Sequence, residues 1–505
     1  MASCYLPSLG DMISHTPIKF EPRNWTPVAF LIASLNRLEE LDFFTTEDFT
    51  TDLMEAFSSH HPHCRLNLLM GPDMESFQGI RNSDLDTQAL QLPGLHALTT
   101  TVFMFYTQSD DHQQLDDFMP LLLTSPGLKH LCLNTIDCFL DANAVDLLKA
   151  TWRRLIPTIK PKAISQLESV TISGNLPEAN LLFKLAATGD LSQLRSLNLG
   201  PICEPRELVN IAELLPNLKR LFLDVGLVDF APSRVKLQIK ELTAGILAFR
   251  PLEYLCIRGL RTVQDLGRII QHHGSSLKEL ALIPDEFQSY PRLNSSQLLK
   301  MAILCPNLEE LRIQVRRSMG DQSECEMYKA LGAFSNLQRL FLDLDFNARP
   351  KRRRMYIGSE TYFDDLRQTF INAAMDRKLA LQIWDMIRNK TSRLKNLRIM
   401  PFGNQGFPEK ELFTLDDIAR SFLLTGYNLR DPGVPLIQRI GKEAWEITRA
   451  RRNVPYRSRG EDRPLSDEVV AVFLSIWPGT SKKFVQIPLA GMVDQLAFTA
   501  GHGSR

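Results

Sequence analysis

Apolar residues recur along this chain in one short phrase, Leu-x-x-Leu-x-[Leu/Ile]. It reads Leu128-Lys129-His130-Leu131-Cys132-Leu133, then Leu194-Arg195-Ser196-Leu197-Asn198-Leu199. It returns at Leu218-Lys219-Arg220-Leu221-Phe222-Leu223 and Leu252-Glu253-Tyr254-Leu255-Cys256-Ile257. Further copies start at Leu277, Leu308, Leu337 and Leu394, a looser one at Leu167, and early ones at Leu38 and Leu95. Period-two alternation inside the phrase predicts one short strand, with the last two apolar residues turned inward and those around them turned out. From Leu167 the starts fall at 194, 218, 252, 277, 308 and 337. Those steps suit leucine-rich repeats, the longer ones carrying insertions. Two gaps, Leu38 to Leu95 and Leu337 to Leu394, are about two periods long. The first predicts a degenerate copy near Leu66-Asn67-Leu68-Leu69; the second offers no further copy.

Between phrases the period changes to that of helices. Leu208, Ile211, Leu214 and Leu215 form one stripe after Pro205, and Leu266, Ile269 and Ile270 form another ending at Gly274. Leu298, Leu299, Ala302 and Ile303 form a third, opened by Ser295-Ser296 as cap. A single strand-plus-helix unit cannot bury its leucines alone, whereas stacked neighbours can. The expected fold class is therefore α/β: a leucine-rich-repeat solenoid, a curved parallel sheet with outer helices, closed by a helical C-terminal cap. Residues 1–30, broken by four prolines, are expected to be irregular. The solenoid is expected over 31–400, with a basic insertion near 349–360. After it comes a long helical stretch over 362–388, with Phe370, Ala374, Leu381, Trp384 and Ile387 inward. Residues 401–505 are expected to form the cap, with helices over 415–424, 436–449 and 466–476.

Composition narrows the function. The 505 residues hold equal numbers of Lys plus Arg and Asp plus Glu, 58 each. That balance argues against a dedicated nucleic-acid or membrane-surface protein. No apolar run reaches membrane-spanning length, and Met1-Ala2-Ser3-Cys4-Tyr5 lacks the basic start of a signal peptide. Cytoplasm, nucleus or both are the expected locations. Eight scattered cysteines then read as reduced, packing thiols.

One junction carries a family resemblance. Cys305-Pro306-Asn307-Leu308-Glu309-Glu310-Leu311 resembles the Cys-Pro-x-Leu-x-x-Leu junction of the cysteine-containing leucine-rich repeats. Leu215-Pro216-Asn217-Leu218 and Ser125-Pro126-Gly127-Leu128 are variants of it, and 272–280 resembles repeats of the same class. These repeats are typical of F-box/leucine-rich-repeat proteins, fungal ones included, and 371–387 resembles a helix of the fungal set. The resemblance implies a substrate receptor of a cullin ubiquitin ligase. Such receptors open with an F-box that binds a Skp-type adaptor. Here the first repeat is entered at Leu35-Asn36-Arg37-Leu38, no three-helix F-box is recognisable before it, and Leu6-Pro7 matches the usual opening poorly. Adaptor docking is therefore carried to no residue. The alternative reading is a regulatory scaffold of the GTPase-activating leucine-rich-repeat type.

The outward strand positions are the candidate partner-binding residues: Arg220, Phe222, Tyr254, Arg258, Arg312, Arg339 and Phe341 on the concave face. Aromatics and arginines among few lysines match interface composition, and such a face is where solenoids bind protein partners. His60-His61-Pro62-His63-Cys64 lacks a second, spaced ligand pair, so it reads as a turn rather than a metal site. Asp110-Asp111 and Asp364-Asp365 read as solvated turns or helix starts. No phosphate loop, dinucleotide fingerprint, nucleophile elbow or zinc-protease motif is present. The expectation is a protein that is not an enzyme, with no cofactor, no metal and no small-molecule substrate. Finally, Lys351, Arg352, Arg353 and Arg354 follow Pro350 and resemble a single-cluster nuclear localisation signal.

Overall fold

The computed structural model describes residues 24–45, 49–70, 92, 94–105, 125, 127–138, 166–173, 182–183, 185–187, 190–201, 205–225, 232–260, 262–283, 292–347, 360–388, 393–403, 418–426, 434–440 and 467–476. The chain divides into two compact units, one over Thr16–Ile257 and one containing Arg258–Arg505.

In the first unit, eight strands lie in sequence order: β1 (Glu40–Thr45), β2 (Arg65–Met70), β3 (Leu95–Phe105), β4 (His130–Cys138), β5 (Ser169–Ser173), β6 (Ser196–Pro201), β7 (Arg220–Asp224) and β8 (Tyr254–Arg258), the last ending at the unit boundary. β1 through β7 pair in parallel. The helices described here are α1 (Thr26–Ser34), α2 (Thr51–His60), α3 (Leu208–Leu214) and α4 (Pro232–Ala248). The second unit begins with four parallel strands, β9 (Glu279–Ile283), β10 (Glu310–Arg316), β11 (Arg339–Asp345) and β12 (Asn396–Phe402). Antiparallel β13 (Ser421–Thr425) and β14 (Leu436–Ile440) follow. Its helices are α5 (Val263–His273), α6 (Ser295–Leu304), α7 (Gln322–Leu331), α8 (Glu360–Ala373), α9 (Arg377–Ile387) and α10 (Asp467–Ile476). Parallel neighbours need a crossover, and described helices supply it between β1 and β2, between β6 and β7, and at each step from β9 to β12. Each unit is thus an α/β solenoid of leucine-rich-repeat-like units.

The phrase explains the packing. Its first leucine is buried in ten copies, from Leu95 to Leu394. The inward strand positions Leu221, Leu255, Leu311 and Leu340 are buried as well. Register aligns like with like: Leu280, Leu311, Leu340 and Leu397 face one another across β9 to β12. Just before the first leucine, the same turn recurs. The amide of Leu218 donates to Leu215 O, that of Leu308 to Cys305 O, and that of Leu337 to Phe334 O. The turn's first residue points inward, so Cys305 is buried, and burial pushes its thiol up to about 12. That cysteine is a packing group rather than a reactive one.

A second device was not read from the sequence. Asn217 Nδ2 donates to Ser192 O at 2.9 Å, Asn307 Nδ2 to Ser275 O at 2.8 Å, and Asn336 Nδ2 to Pro306 O at 2.8 Å. Each asparagine immediately precedes the first leucine of its phrase and clamps the turn of the repeat before it. At Leu394 the equivalent position is Arg393, whose Nη1 donates to Asn336 Oδ1 at 3.1 Å.

The expected degenerate copy near Leu66 is strand β2, and the long second gap, where no further copy is expected, holds helices α8 and α9, with β11 pairing directly with β12. Other expectations need correction. The 362–388 helix is broken at Asp376, which caps α9 by accepting from Leu379 N at 2.7 Å. Ala373 and Ala380 are buried rather than Ala374 and Leu381. On α6 the buried residues are Leu298 and Met301, while Leu299 and Ile303 are exposed. Its cap is Asn294 in a capping box with Gln297, not the serines. Within the expected irregular start, Thr26–Ser34 is helical. Of the three expected cap helices, the last is helix α10; within the described residues of the other two spans lie strands β13 and β14 instead. Phe422 and Leu424 alternate with exposed-side neighbours, a period-two pattern short enough to pass for a helical stripe.

Candidate protein-docking face

Alternation on β9 to β12 sends one set of residues into the leucine core and the other to the opposite face. Register sorts the second set into rows. Glu279, Glu310, Arg339 and Asn396 form one; Ala281, Arg312, Phe341 and Arg398 form the next; Gln314, Asp343 and Met400 form a third. The rows are electrostatically built. Arg339 Nε pairs with Glu310 at 2.5 Å, and its Nη2 lies 3.5 Å from Glu279 Oε1. The Glu310 carboxylate holds the Arg339 guanidinium more firmly protonated than usual. Arg312 grips Asp343 through two contacts, Nε to Oδ2 at 2.8 Å and Nη2 to Oδ1 at 3.2 Å. Asp343 is buried, and that burial pushes its carboxyl up; the hydrogen bond and charge of Arg312, with the charge of Arg398, pull the other way without cancelling it. Phe341 is half-buried between Arg312 and Arg398 in its row.

The sequence-derived residues fall into two groups. Arg312, Arg339 and Phe341 stand together on β10 and β11 of the second unit. Arg220, Phe222 and Tyr254 belong to the first unit, where the Arg220 guanidinium lies 3.8 Å over the Tyr254 ring. Arg258 is half-buried at the end of β8. Lys351, Arg352, Arg353 and Arg354 lie outside the described residues, as do Asp110 and Asp111. Asp343 and Arg398 belong to the same face but were left out of the sequence-derived set. Arg398 was legible, since Leu394-x-x-Leu397-x-Ile399 places it at the position of Arg312 and Phe341. The pairing of Asp343 with Arg312 was not, because it depends on which strands become neighbours.

Beyond β10, the turn Ser318–Met319–Gly320–Asp321 is built with unusual care. Met319 and Gly320 both have positive φ, 60° and 74°, and Asp321 N donates to Ser318 O. This is the hairpin-like turn that favours Asn-Gly, here with Met at a position where a side chain is strained. Glu324 holds it: Oε2 accepts from Ser318 N at 2.6 Å and Gly320 N at 2.9 Å, and Oε1 accepts from Tyr328 Oη at 2.8 Å. Asn372 Oδ1 on α8 accepts from Met319 N at 2.8 Å. Arg317 Nε faces Glu324 Oε1 at 3.4 Å, an ion pair without hydrogen-bond alignment, both side chains being almost fully buried.

Among the described residues no group of three metal-ligating side chains exists, and no helix is long and apolar enough to cross a membrane. His61 is buried with Nε2 at 2.8 Å from Ile32 O, so packing accounts for it. Asp364 is exposed as expected, but Asp365 is buried within α8, which corrects its reading as a solvated carboxylate.

No family model matches the sequence, and no curated protein matches it. Among solved structures, the chain is similar to one described as the crystal structure of Rad7 and Elc1 complex in yeast. The TM-score is 0.34 at 14% identity, over 68% of this chain and 89% of that one. So distant a likeness transfers nothing from that complex to this chain.

Proposed function

We propose that this chain is a non-catalytic protein-recognition solenoid whose partner docks on the β9–β12 face of the second unit. The observation that supports the reading is the row Arg312–Phe341–Arg398 across three neighbouring strands, with Arg339 in the row beside it. Aromatics and arginines dominate the energetics of protein interfaces. Strand pairing and the Arg312–Asp343 clamp hold these side chains in place before a partner arrives, which lowers the entropy cost of binding.

The finer reading is a substrate receptor in a ubiquitin-ligase pathway. It rests on the Cys305-Pro306-Asn307-Leu308 junction and its variants, as a sequence resemblance. The regulatory scaffold of the GTPase-activating type remains the alternative. Affinity capture with the full chain, compared with Phe341→Glu, separates them by mass spectrometry. Loss of the captured partner in the variant is the expected outcome, and a partner held equally by both overturns the face assignment. Recovery of a Skp-type adaptor or cullin favours the ligase reading; recovery of a small GTPase favours the scaffold.

Nuclear import through Lys351, Arg352, Arg353 and Arg354 belongs to the same proposal. The chain's mass is 57.5 kDa, too large to diffuse freely through nuclear pores. Replacing the four residues by Ala in a fluorescent fusion is expected to shift signal to the cytoplasm. Undiminished nuclear signal in the mutant would end this part of the reading.

A further inference from the structure

The charges on the β9–β12 face are not all used. Arg312 is committed to Asp343, and Arg339 to Glu310 and Glu279. Arg398, in the same row as Arg312, makes no hydrogen bond or ion pair among the described residues, and its Nε is shut away from water without a partner. Asp343 feels its charge, but both carboxylate oxygens are already bonded to Arg312. Around Asp343 the sum is therefore one surplus cation, from Arg312 and Arg398 against a single carboxylate. A second polar atom on the face, Gln314 Oε1, is also buried with no hydrogen-bond partner among the described residues. Buried polar groups in folded proteins are nearly always paired, so an unmatched donor and an unmatched acceptor on one face call for a reason.

Apolar surface lies beside the surplus cation. Phe341 adjoins Arg398 on β11, Leu423 adjoins it on β13, and Met400 follows two residues later on β12, all three half-buried. A guanidinium set among half-buried apolar side chains is a poor place for free water and a good one for a carboxylate, because a charge-assisted hydrogen bond strengthens where water is excluded.

Building on the docking role proposed above, we infer that the β10–β12 face takes an acidic peptide segment. One carboxylate engages Arg398, and a neighbouring apolar side chain packs on Phe341 and Leu423. A peptide N–H supplies the donor that Gln314 Oε1 lacks. Arg312 and Asp343 act as positioning residues: their mutual clamp leaves Arg398 as the cation available to the ligand.

The test uses the full chain and fluorescein-labelled peptides of equal length in which Leu alternates with Glu, Gln or Lys, read by fluorescence anisotropy. The Glu peptide should bind most tightly and weaken as salt rises from about 0.05 to about 0.5 M, because screening shortens the reach of the charge. Arg398→Gln should weaken it by about tenfold, the scale of one lost charge-assisted hydrogen bond, and Arg398→Lys by much less. Thermal melting of both variants establishes that they fold, and the lysine variant keeps the question answerable if the glutamine variant does not. Equal binding of Glu and Gln peptides, preference for Lys peptides, or indifference to Arg398→Gln would each overturn the inference. Equal binding by Glu and Gln peptides that Phe341→Glu abolishes would leave the docking face standing and remove only its acidic preference. Binding of all peptides unchanged by Phe341→Glu would remove both.

Discussion

Replacing Glu324 by Ala is expected to destabilise the second unit by about 3–5 kcal/mol, the usual cost of stripping one partner from a buried ion pair. The effect is large because the carboxylate does several things at once. It faces Arg317, whose guanidinium would be left buried and uncompensated, with Nε and Nη1 already lacking hydrogen bonds among the described residues. It also holds the amides of Ser318 and Gly320 and the hydroxyl of Tyr328. Without it, the strained backbone at Met319 keeps only Asn372 and its own turn bond. Urea denaturation gives the size of the loss. Hydrogen exchange should place the extra opening at residues 317–331, because weakly held segments open locally before the whole unit does. The double change Arg317→Met with Glu324→Leu should recover most of the stability, since removing both charges leaves neither stranded. A loss below about 1 kcal/mol in Glu324→Ala would show that water reaches Arg317 and that the site is not the closed network described.

The same network sets a pH dependence. Burial, and then the neighbouring Glu324 charge, push the Tyr328 hydroxyl well above its ordinary value near 10. A folded-state value raised above the unfolded one means the unfolded chain loses this proton first as pH rises. The stabilisation is therefore complete below about pH 10 and drains away above it. Tyr328→Phe should flatten that alkaline arm while lowering stability at neutral pH through the lost bond to Glu324.

The repeat architecture was legible because it is local and redundant. A leucine phrase that recurs many times states its period and its inward face at each copy, and the buried leucines occupy those places. The asparagines that precede Leu218, Leu308 and Leu337 were visible as letters. Their acceptors belong to the preceding repeat, so their use could not be read along the chain. The end of the solenoid misled for a related reason. Over five residues, Ser421–Thr425, an alternating strand and one face of a helix share their apolar positions, and only pairing with β12 decides between them. The docking face was half-legible. Strand periodicity gave Arg312, Arg339 and Phe341 their outward direction. Which arginine would be neutralised, and which left over, depended on Asp343, on the strand between them, bonding Arg312 and not Arg398. The Glu324 network left almost no trace: one glutamate inside a polar helix start gave no sign that it would be among the most buried charged side chains of the described residues.

Leu340→Ala is expected to cost about 2–5 kcal/mol, while Arg339→Ala next to it in the chain should cost about 1 kcal/mol or less. The contrast follows from the two-residue period of a strand, which sends adjacent side chains to opposite faces. Leu340 has no exposed surface and lies between Leu311 on β10 and Leu397 on β12, both equally buried. Neighbours on both sides are fixed by strand register, so they cannot slide into the space that a missing isobutyl group leaves. The loss should therefore combine transfer free energy with a cavity that collapses little. Arg339, with its side chain 41% exposed, gives up an ion pair that water already screens. Leu340→Met, close in volume, should lose less than about 1.5 kcal/mol. Urea midpoints for the three variants measure the order directly. A slip of one residue in the register of β11 would exchange the two faces and reverse the ranking of Leu340→Ala and Arg339→Ala. That reversal would dismantle the docking face along with the core, since Phe341 and Arg398 point outward only while Leu340 and Leu397 point in.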